Sequence, residues 1–329
     1  MTIKGIGLFS GGLDSILAFK VIQEQGIDCQ GVTFETPFFS AARARATAER
    51  IGLPLTVLDI TEEHLQMLHA PRYGYGKNMN PCIDCHTLMI RLAGRMMEEE
   101  GADFLFTGEV LGQRPMSQGR QSLMVVAKNA GYPERLLRPL SAKLLPETGP
   151  ERAGKVDRSR LLDIQGRGRK RQMEMAVHYG IGSYPPPAGG CLLTDPVFTR
   201  RLRDLFANHP DHRVRDIELL KAGRHFRLNE TTKAVVGRNA ADNEAIERLS
   251  RPGDALISIT EVPGPTVLVP GGGDEESRLM AARLCALYSD APRDREVLAS
   301  CLRDGIAESL RVLAATPAEA AERIIGAAS

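Results

Sequence analysis

Two short strings of residues combine side-chain types and spacing that catalysis needs. The first, S-G-G-L-D-S at residues 10–15, lies between an apolar stretch and an apolar-periodic segment. A glycine-rich turn between a strand and a helix leaves backbone N–H groups free to bind an anion, and its glycines let phosphate oxygens approach closely. Two serines offer hydroxyl donors, and Asp14 could hold Mg²⁺ or act near a reacting phosphate. The residues that this pattern assigns to a phosphate site are Ser10, Gly11, Gly12, Asp14 and Ser15.

The second string is N-P-C-I-D-C-H, which places Cys82 and Cys85 at the start of a predicted helix. Two thiolates at this spacing can bind one metal or two corners of a cluster, and the distant Cys191 would make a three-thiolate site. Such a site suits a cubane with one open iron, an incomplete zinc site, or a nucleophile with a persulfide partner. A structural zinc half-site or simply buried thiols is the alternative. Three other cysteines lie in apolar patterns and are expected to be packed: Cys29, Cys285 and Cys301.

The composition points to a globular chain of two domains. The 329 residues are 43% hydrophobic and 25% charged, with a formal net charge of +1. No apolar run reaches the roughly 20 residues of a membrane span, so we expect a cytoplasmic protein without membrane contact. In that compartment six cysteines indicate metal or catalytic sites rather than disulfides.

The periodicity of the first half predicts alternating strands and helices. Strands are expected at 3–9, 29–35, 55–60 and 103–107, and helices at 15–25, 41–51 and 88–100. This alternation predicts an α/β fold with a doubly wound, mainly parallel sheet. A Pro/Gly-rich segment, S-Y-P-P-P-A-G-G-C-L-L-T-D-P, then ends the pattern, so we expect a first domain at 1–195.

The remaining residues, 196–329, predict a smaller α+β domain. Helices are expected at 200–207, 242–249 and 275–287, with an Ala-rich helix near the C-terminus. Strands are expected on both sides of a turn at Asn229, and in the segment A-L-I-S-I-T-E-V-P-G-P-T-V-L-V-P.

The first string resembles the pyrophosphate loop of the PP-loop ATP pyrophosphatase superfamily, whose fold is the adenine nucleotide α-hydrolase type. Neither G-x-x-x-x-G-K-[ST] nor G-x-G-x-x-G occurs in this loop, so an ordinary P-loop or dinucleotide site is excluded. The resemblance implies that ATP is cleaved between its α and β phosphates. It also implies that a carbonyl oxygen is adenylated and that a nucleophile displaces AMP.

Two further strings resemble the tRNA thiolation branch of that superfamily. N-P-C-I-D-C is similar to the N-P-C-x-x-C of tRNA 2-thiouridylases. F-T-G-E-V-L-G-Q-R-P-M-S-Q resembles a segment of tRNA 4-thiouridine synthetases, with Val110 in place of the family serine and Arg114-Pro115 in the variable pair. The resemblance implies sulfur transfer to a uridine of tRNA, with Asp14, Cys82 and Cys191 as catalytic residues.

The same resemblance implies the cofactors and the residues that contact them. ATP and Mg²⁺ would bind at the loop, and Gly108 and Glu109 would contact the nucleotide. Lys143 is either a cation near the phosphates or a solvated lysine. The cysteines match a [4Fe–4S] cluster by count, with Zn²⁺ or a persulfide without metal as alternatives. The metal ligands would be Cys82, Cys85 and Cys191.

A basic segment predicts contact with RNA phosphates. From Arg152 to Arg171 there are eight Lys or Arg against two acidic residues, and a second basic group begins at residue 200. Such a run is often only a solvated face, but beside a pyrophosphate loop it favours a tRNA footprint. The candidate RNA-binding residues are Arg167, Arg169, Lys170, Arg171, Arg200 and Arg201.

The second domain has its own resemblance. V-G-R-N-A-A-D-N and V-P-G-P-T are similar to strings of the NFACT-type RNA-binding domain, with Pro265 and Thr266 where that family has Ser and His. We therefore expect an ATP-dependent tRNA sulfurtransferase, which receives sulfur as sulfide or from a cysteine desulfurase-type protein and could be a homodimer. Two alternatives stay open: an adenylating small-molecule ligase with structural zinc, and a non-catalytic RNA-binding protein.

Overall fold

The computed structural model describes residues 2–114, 116–184 and 190–326. The chain divides into two compact units, Met1–Thr194 and Asp195–Ser329. Pro115 and the Pro/Gly run at 185–189, which we expected at the end of the first domain, lie outside the described residues. None of the described helices has the length and apolar character that a membrane crossing needs.

The described part of the first unit contains a five-stranded sheet whose neighbouring strands are all parallel. Its strands are β1 (Lys4–Leu8), β2 (Asp28–Glu35), β3 (Leu55–Asp59), β4 (Phe104–Thr107) and β5 (Leu136–Leu137). The strand order is β3-β2-β1-β4-β5. The chain winds outward from β1 in both directions, so the loops after β1 and β4 diverge at a crevice at the carboxyl ends of the strands. The predicted doubly wound fold is confirmed.

Helices cover both faces of this sheet. They are α1 (Leu13–Gln23), α2 (Ala42–Ile51), α3 (Thr61–His69), α4 (Cys82–Glu99), α5 (Arg120–Ala130), α6 (Gly149–Arg152) and α7 (Lys170–His178). Phe106 of β4 packs in an apolar core with Phe19 of α1, while its neighbour Leu105 packs in another core with Ile90 of α4. Side chains alternate along a strand, so β4 buries residues in both cores. The loop that follows β4 therefore starts from a firmly packed strand.

The structure differs from the sequence pattern mainly in the length and number of these helices. Helix α4 begins at Cys82 rather than at residue 88, so both cysteines of the C-x-x-C string lie on its first turn. Helices α3 and α5 were not predicted. The predicted end of α2 at Gly52 is confirmed, because this glycine has the left-handed φ of 65° that closes a helix.

The second unit holds a seven-stranded antiparallel sheet within its described residues. Its strands are β6 (Arg224–Arg227), β7 (Lys233–Val236), β8 (Ala255–Ile259), β9 (Val267–Val269), β10 (Val297–Arg303), β11 (Ile306–Val312) and β12 (Ile324–Ile325). Its helices are α8 (Pro196–Asn208), α9 (Val214–Leu219), α10 (Ala240–Leu249), α11 (Glu275–Leu287) and α12 (Pro317–Arg323). The α+β class expected for this region is confirmed.

Two features of the second unit were not predicted. Strands β10 and β11 form a hairpin around Asp304 and Gly305, and both turn residues have positive φ. The Ala-rich terminal helix ends at Arg323, after which β12 pairs with β6. The β-branched pair Ile324–Ile325 therefore extends the sheet rather than the helix.

Candidate active site

The pyrophosphate loop, residues 10–15, joins β1 to α1. At one of its positions the backbone has a conformation that only glycine adopts readily. Gly11 has φ of 71°, and a Cβ there would lie 2.8 Å from the carbonyl oxygen of Arg43. The Ser15 hydroxyl donates to the Gly12 carbonyl at 2.8 Å. Gly12 precedes α1 without a side-chain cap, so the first N–H groups of the helix remain available to an anion.

The end of β4 packs directly against this loop. A Cβ on Gly108 would lie 2.6 Å from the backbone nitrogen of Ser15 and 2.7 Å from the carbonyl carbon of Asp14. Such distances are too short for any side chain, and the atoms met are backbone atoms that cannot rotate away. Gly108, predicted to contact the nucleotide, thus supports the first turn of α1 through backbone packing.

Asp14 lies among polar groups that the described residues leave unsatisfied. Burial raises the pKa of its carboxyl group, and this effect is opposed by Arg169, Gln113, Gln172 and Arg114. Its Oδ1 atom has no hydrogen-bond partner in the described part of the chain. The same holds for both polar atoms of the fully buried Gln172 and for Nε of Arg169. Buried polar groups are nearly always paired. The unpaired atoms of Asp14, Gln172 and Arg169 are therefore suited to binding a polar ligand or ions.

For Lys143 the sequence left two interpretations open, a cation near the phosphates or a solvated lysine. The ammonium group of Lys143 donates to the Ser159 carbonyl at 2.7 Å, and its charge acts on Asp157 and Asp163. The side chain therefore matches the alternative of a solvated lysine. Arg169, assigned from the sequence to RNA, instead lies where its charge acts on Asp14.

Glu109, which follows β4, contacts a side chain of the C-x-x-C helix α4. One carboxylate oxygen lies 2.9 Å from His86 Nδ1, and the other accepts from Arg138 Nε at 2.9 Å and from the Thr107 hydroxyl at 3.1 Å. Burial acts to raise the pKa of Glu109, but Arg138 and His86 outweigh it and lower the pKa to about 2. Both oxygens are engaged, so Glu109 holds His86, the neighbour of Cys85, rather than presenting a free carboxylate.

The cysteine site consists of Cys82, Cys85 and Cys191, and the fold brings all three together. Burial raises the pKa of the Cys85 thiol well above its ordinary value, and the nearby Cys191 and Cys82 raise it further. Burial also raises the pKa of Cys191 to about 11, with a further contribution from Cys82. These mutual effects indicate that the three thiols lie near one another, although Cys191 lies far along the chain.

Backbone contacts hold the Cys191 segment against two loops of the first unit. The backbone N–H of Leu192 donates to the Phe38 carbonyl at 2.9 Å. The N–H of Met79 donates to the Leu193 carbonyl at 3.3 Å. The side-chain amide of Asn78 donates to the Thr194 carbonyl at 2.7 Å. The other cysteines are buried in the apolar cores, as predicted.

Sequence reasoning missed His64, which lies beside the cysteine site. Its Nε2 atom is 3.6 Å from Cys85 Sγ, and its ring packs against Phe38 and Phe39. Burial lowers the pKa of His64 to about 4, so the imidazole is neutral near pH 7. The available signal was its position on α3, where His64 and Leu68 are spaced as a buried i, i+4 pair.

The basic residues predicted to bind RNA separate into several environments. Arg167 and Lys170 are exposed, Arg171 forms an ion pair with Asp163, and Arg200 is half-buried. Arg201 instead donates to the carbonyls of Leu220 and Gly223, and burial lowers its pKa to about 10.

The V-G-R-N string of the second unit builds a helix start. Asn239 accepts a hydrogen bond from the N–H of Asp242 and caps α10. A Cβ on Gly237 would lie 1.9 Å from Oδ1 of Asn243, which itself accepts from the N–H of Thr266 at 3.1 Å. The string therefore ties β7, α10 and the segment before β9 into one corner.

Comparison with protein-family models matches each unit separately. Residues 2–143 match the thiamine biosynthesis protein (ThiI) family, and residues 223–323 match the NFACT protein RNA binding domain. The first match lies within the first compact unit, and the second match lies within the second. The PP-loop match covers the pyrophosphate loop, the C-x-x-C string and Glu109, whereas Cys191 lies beyond it.

Curated relatives match about a third of the chain. The tRNA-specific 2-thiouridylase MnmA of Rhodopseudomonas palustris (strain BisB5) is 31% identical over 136 residues, covering 36% of this chain and 34% of that protein. The MnmA of Syntrophotalea carbinolica is 35% identical over 117 residues, covering 30% and 32%. The chain thus spans about a third of the length of these relatives.

Solved structures match at low TM-scores. A 4-thiouridine synthetase–RNA complex with bound ATP is 23% identical with a TM-score of 0.37, and the match covers 65% of this chain and 52% of that one. The C-terminal part of a fibronectin/fibrinogen-binding protein from Streptococcus suis is 16% identical with a TM-score of 0.29, covering 47% and 76%.

Proposed function

We propose that this chain is an ATP-dependent tRNA sulfurtransferase that forms thiouridine. The observation that carries the proposal is the meeting of Cys82, Cys85 and Cys191 in the same unit as a pyrophosphate loop. The relatives named tRNA-specific 2-thiouridylases support the choice of tRNA as substrate. The NFACT-type domain supports binding of RNA.

ATP is expected to bind with its phosphates at the start of α1. The free N–H groups there are donors for phosphate oxygens. The hydroxyls of Ser10 and Ser15 now donate to Ser15 Oγ and to the Gly12 carbonyl, and would donate to a phosphate after exchanging these contacts. The unpaired Oδ1 of Asp14 is a suitable oxygen ligand for Mg²⁺, which prefers carboxylates and phosphates. Arg169 and Gln172 supply donors that the described residues leave unsatisfied.

The first chemical step activates the uridine. A carbonyl oxygen of the base attacks the α-phosphorus of ATP, the bond to the β-phosphate breaks, and pyrophosphate leaves. The base is then an adenylated imidate, in which the former carbonyl oxygen is part of a good leaving group. The positive end of α1 stabilises the charge that develops on the phosphates.

The second step replaces that oxygen by sulfur. A sulfur nucleophile attacks the activated carbon, the carbon–oxygen bond breaks, and AMP leaves with the uridine's oxygen. The sulfur is supplied either as sulfide or by a cysteine desulfurase-type protein. Cys82 and Cys191 would hold or deliver it at the cysteine site.

The cysteine site fits a [4Fe–4S] cluster held by three thiolates. Within the described residues, no three His, Cys, Asp or Glu side chains form a ligand set for one metal ion. Cluster ligands bind different irons, so they need not surround one point. The raised pKa values of Cys85 and Cys191 mean that a metal would displace protons on binding. When bound, the cluster would supply an open iron that can carry sulfur.

The tRNA is expected to contact basic residues in both units. Arg167 and Lys170 are exposed and are suitable for phosphate contacts, as is Arg200. Arg171 could contribute where its pairing with Asp163 is exchanged for a phosphate. Such contacts position the RNA but do not select the uridine.

The test is to assay protein purified without air for iron, acid-labile sulfide and thiouridine in tRNA. Asp14→Ala should abolish pyrophosphate release, whereas Cys82→Ala and Cys191→Ser should abolish thiouridine. Cys301→Ala is the matched control, because that thiol is buried in an apolar core of the second unit. The wild type should contain near-equal iron and sulfide, and the control should keep both.

Other outcomes identify the alternatives. Zinc without iron would favour a structural site and an adenylating ligase that acts on a small molecule. Thiouridine formed without any metal, from sulfur delivered by a cysteine desulfurase-type protein, would favour a persulfide on Cys82 or Cys191. RNA binding that is unaffected by Asp14→Ala, with no pyrophosphate released by the wild type, would leave a non-catalytic RNA-binding protein.

A further inference from the structure

The loop before the C-x-x-C helix exposes two aromatic rings. We call residues 71–81 the tyrosine loop; within it, Tyr73 and Tyr75 each leave 42% of their surface exposed. The two half-exposed rings lie two residues apart, so together they offer aromatic surface to a partner. Neither tyrosine belongs to the residues that are expected to bind the nucleotide.

Both rings are held at one end by their hydroxyl groups. The Tyr73 hydroxyl accepts a hydrogen bond from Nδ2 of Asn129 at 2.7 Å, and the Tyr75 hydroxyl donates to the Leu68 carbonyl at 2.6 Å. A ring fixed in this way loses little conformational freedom when a planar group stacks on it.

The tyrosine loop is bonded directly to the cysteine site. Asp84, between the two cysteines of the C-x-x-C string, accepts from the backbone N–H groups of Arg72 and Tyr73 at 3.2 and 3.0 Å. The side-chain amide of Asn80 donates to Cys82 Sγ at 3.3 Å. The rings are therefore held in a fixed relation to the sulfur atoms.

The charge of the loop is positive. Arg72 and Lys77 are both exposed, and the guanidinium carbon of Arg72 lies 5.6 Å from the centre of the Tyr73 ring. Neither side chain forms an ion pair with an acidic residue in the described part of the chain. Aromatic faces interleaved with unneutralised cations are the combination that binds single-stranded nucleic acid.

We propose that the tyrosine loop is a base-stacking site, which holds an unpaired nucleotide of the RNA substrate next to the cysteine site. This inference rests on the proposed function, because it places the base to be modified, or its neighbour, beside the sulfur. Stacking of bases on tyrosine is how proteins hold nucleotides extruded from RNA structure. Arg72 and Lys77 bind the phosphates on either side of the stacked base.

A crosslinking experiment tests the site directly. Full-length protein is mixed with tRNA or oligouridine in which uridine is replaced by 5-iodouridine, illuminated, and digested for mass spectrometry. Crosslinks are expected on Tyr73 or Tyr75. Crosslinks confined to other parts of the chain, with the tyrosine loop unmodified, would overturn the proposal.

Substitutions measure the contribution of stacking. Tyr73→Ala and Tyr75→Ala should each weaken binding of oligouridine about ten-fold, whereas Tyr73→Phe and Tyr75→Phe should retain most of it, because the ring rather than the hydroxyl stacks. Val177→Ala is the matched control, since that apolar side chain is 82% exposed outside the loop. Unchanged iron content and thermal stability would show that the variants fold.

The crosslinking and substitution experiments distinguish a failure of this inference from a failure of the proposed function. If the wild type forms no thiouridine but crosslinks through Tyr73 or Tyr75, the proposed reaction fails and the stacking site stands. If the wild type forms thiouridine and both alanine variants bind and react normally, the stacking site is wrong and the reaction stands. A loss of sulfur-donor protein binding without a loss of RNA binding would also overturn the stacking site.

Discussion

His64 Nε2 lies 3.6 Å from the sulfur of Cys85, and the other ring nitrogen of this buried histidine has no partner among the described residues. The imidazole is neutral near pH 7 because burial lowers its pKa to about 4. A neutral imidazole with its proton on Nε2 can donate to the Cys85 sulfur once that thiol has lost its proton, as it would on binding a metal. This contact would orient Cys85 and withdraw charge from its sulfur.

Removing this contact should weaken metal binding without removing a ligand. His64→Phe replaces the ring by an apolar ring between Phe38 and Phe39, and loss of such a supporting contact commonly costs about 10- to 100-fold in metal affinity. The measurement is iron retained against a chelator in anaerobic protein. His178→Gln, a histidine on α7, is the control, and equal retention by both variants would show that His64 does not support Cys85.

Gly108→Ala should damage the pyrophosphate loop although no functional group is removed. The new Cβ would lie 2.6–2.7 Å from backbone atoms of Asp14 and Ser15, which must shift. We expect a loss of about 1–3 kcal/mol in the free energy of unfolding, as for overpacking elsewhere, together with weaker ATP binding. Titration with ATP and urea unfolding measure both. Gly168→Ala, where nothing lies within 4 Å of the new Cβ, should change neither.

Glu109→Gln should destabilise the first unit strongly near neutral pH. It leaves Arg138 buried without its carboxylate partner, a change that typically costs about 3–5 kcal/mol. Because the folded pKa of about 2 is below the ordinary 4.5, the contribution of Glu109 is fully present above pH 4.5 and is lost as the pH falls towards 2. Urea unfolding from pH 7 to pH 3 should show the free energy of unfolding of the wild type approaching that of the variant. A constant difference across this range would contradict the assignment.

Lys233→Met should stabilise the second unit. Lys233 leaves only 3% of its surface exposed, and its buried ammonium group has no hydrogen-bond partner in the described residues. Burial lowers its pKa to about 8. A shift from 10.5 corresponds to about 3 kcal/mol of penalty on the charged form.

The penalty on Lys233 has a defined pH dependence. Between pH 8 and pH 10.5 the unfolded chain binds more protons than the folded one, so wild-type stability rises with pH in that range. Calorimetry of the full chain should show the variant unfolding at higher temperature at pH 7, with a smaller advantage at pH 10. Lys221→Met removes an exposed lysine paired with Glu218 and should have little effect. Equal effects of the two substitutions would contradict this account.

The sequence was informative where one local pattern determines one structure. The alternation of apolar strands and helices predicts the parallel sheet, and S-G-G-L-D-S predicts the loop at the start of α1. It was less informative where distant contacts decide. The β10–β11 hairpin depends on pairing with β8, and the short β12 depends on β6, so neither is visible in local periodicity.

The same limit applies to the site. The positions of Cys82 and Cys85 follow from their spacing on α4, but the contact between Cys85 and His64 depends on how α3 packs, which no motif records. Arg169 and Arg201 show that a sequence pattern can also suggest a role that the contacts in the structure do not match. Both belong to basic runs typical of RNA contact, yet one charge acts on Asp14 and the other side chain binds buried carbonyls.

In the proposed reaction, ATP activates a uridine oxygen, which then leaves with AMP as sulfur takes its place. The most direct measurement uses tRNA whose uridine carbonyl oxygens carry ¹⁸O, incubated with the protein, ATP, Mg²⁺ and sulfide without air. Mass spectrometry should find one ¹⁸O atom in AMP for each thiouridine formed, and none with Asp14→Ala. Thiouridine formed while AMP contains no ¹⁸O, or AMP labelled without any thiouridine, would contradict the proposed reaction.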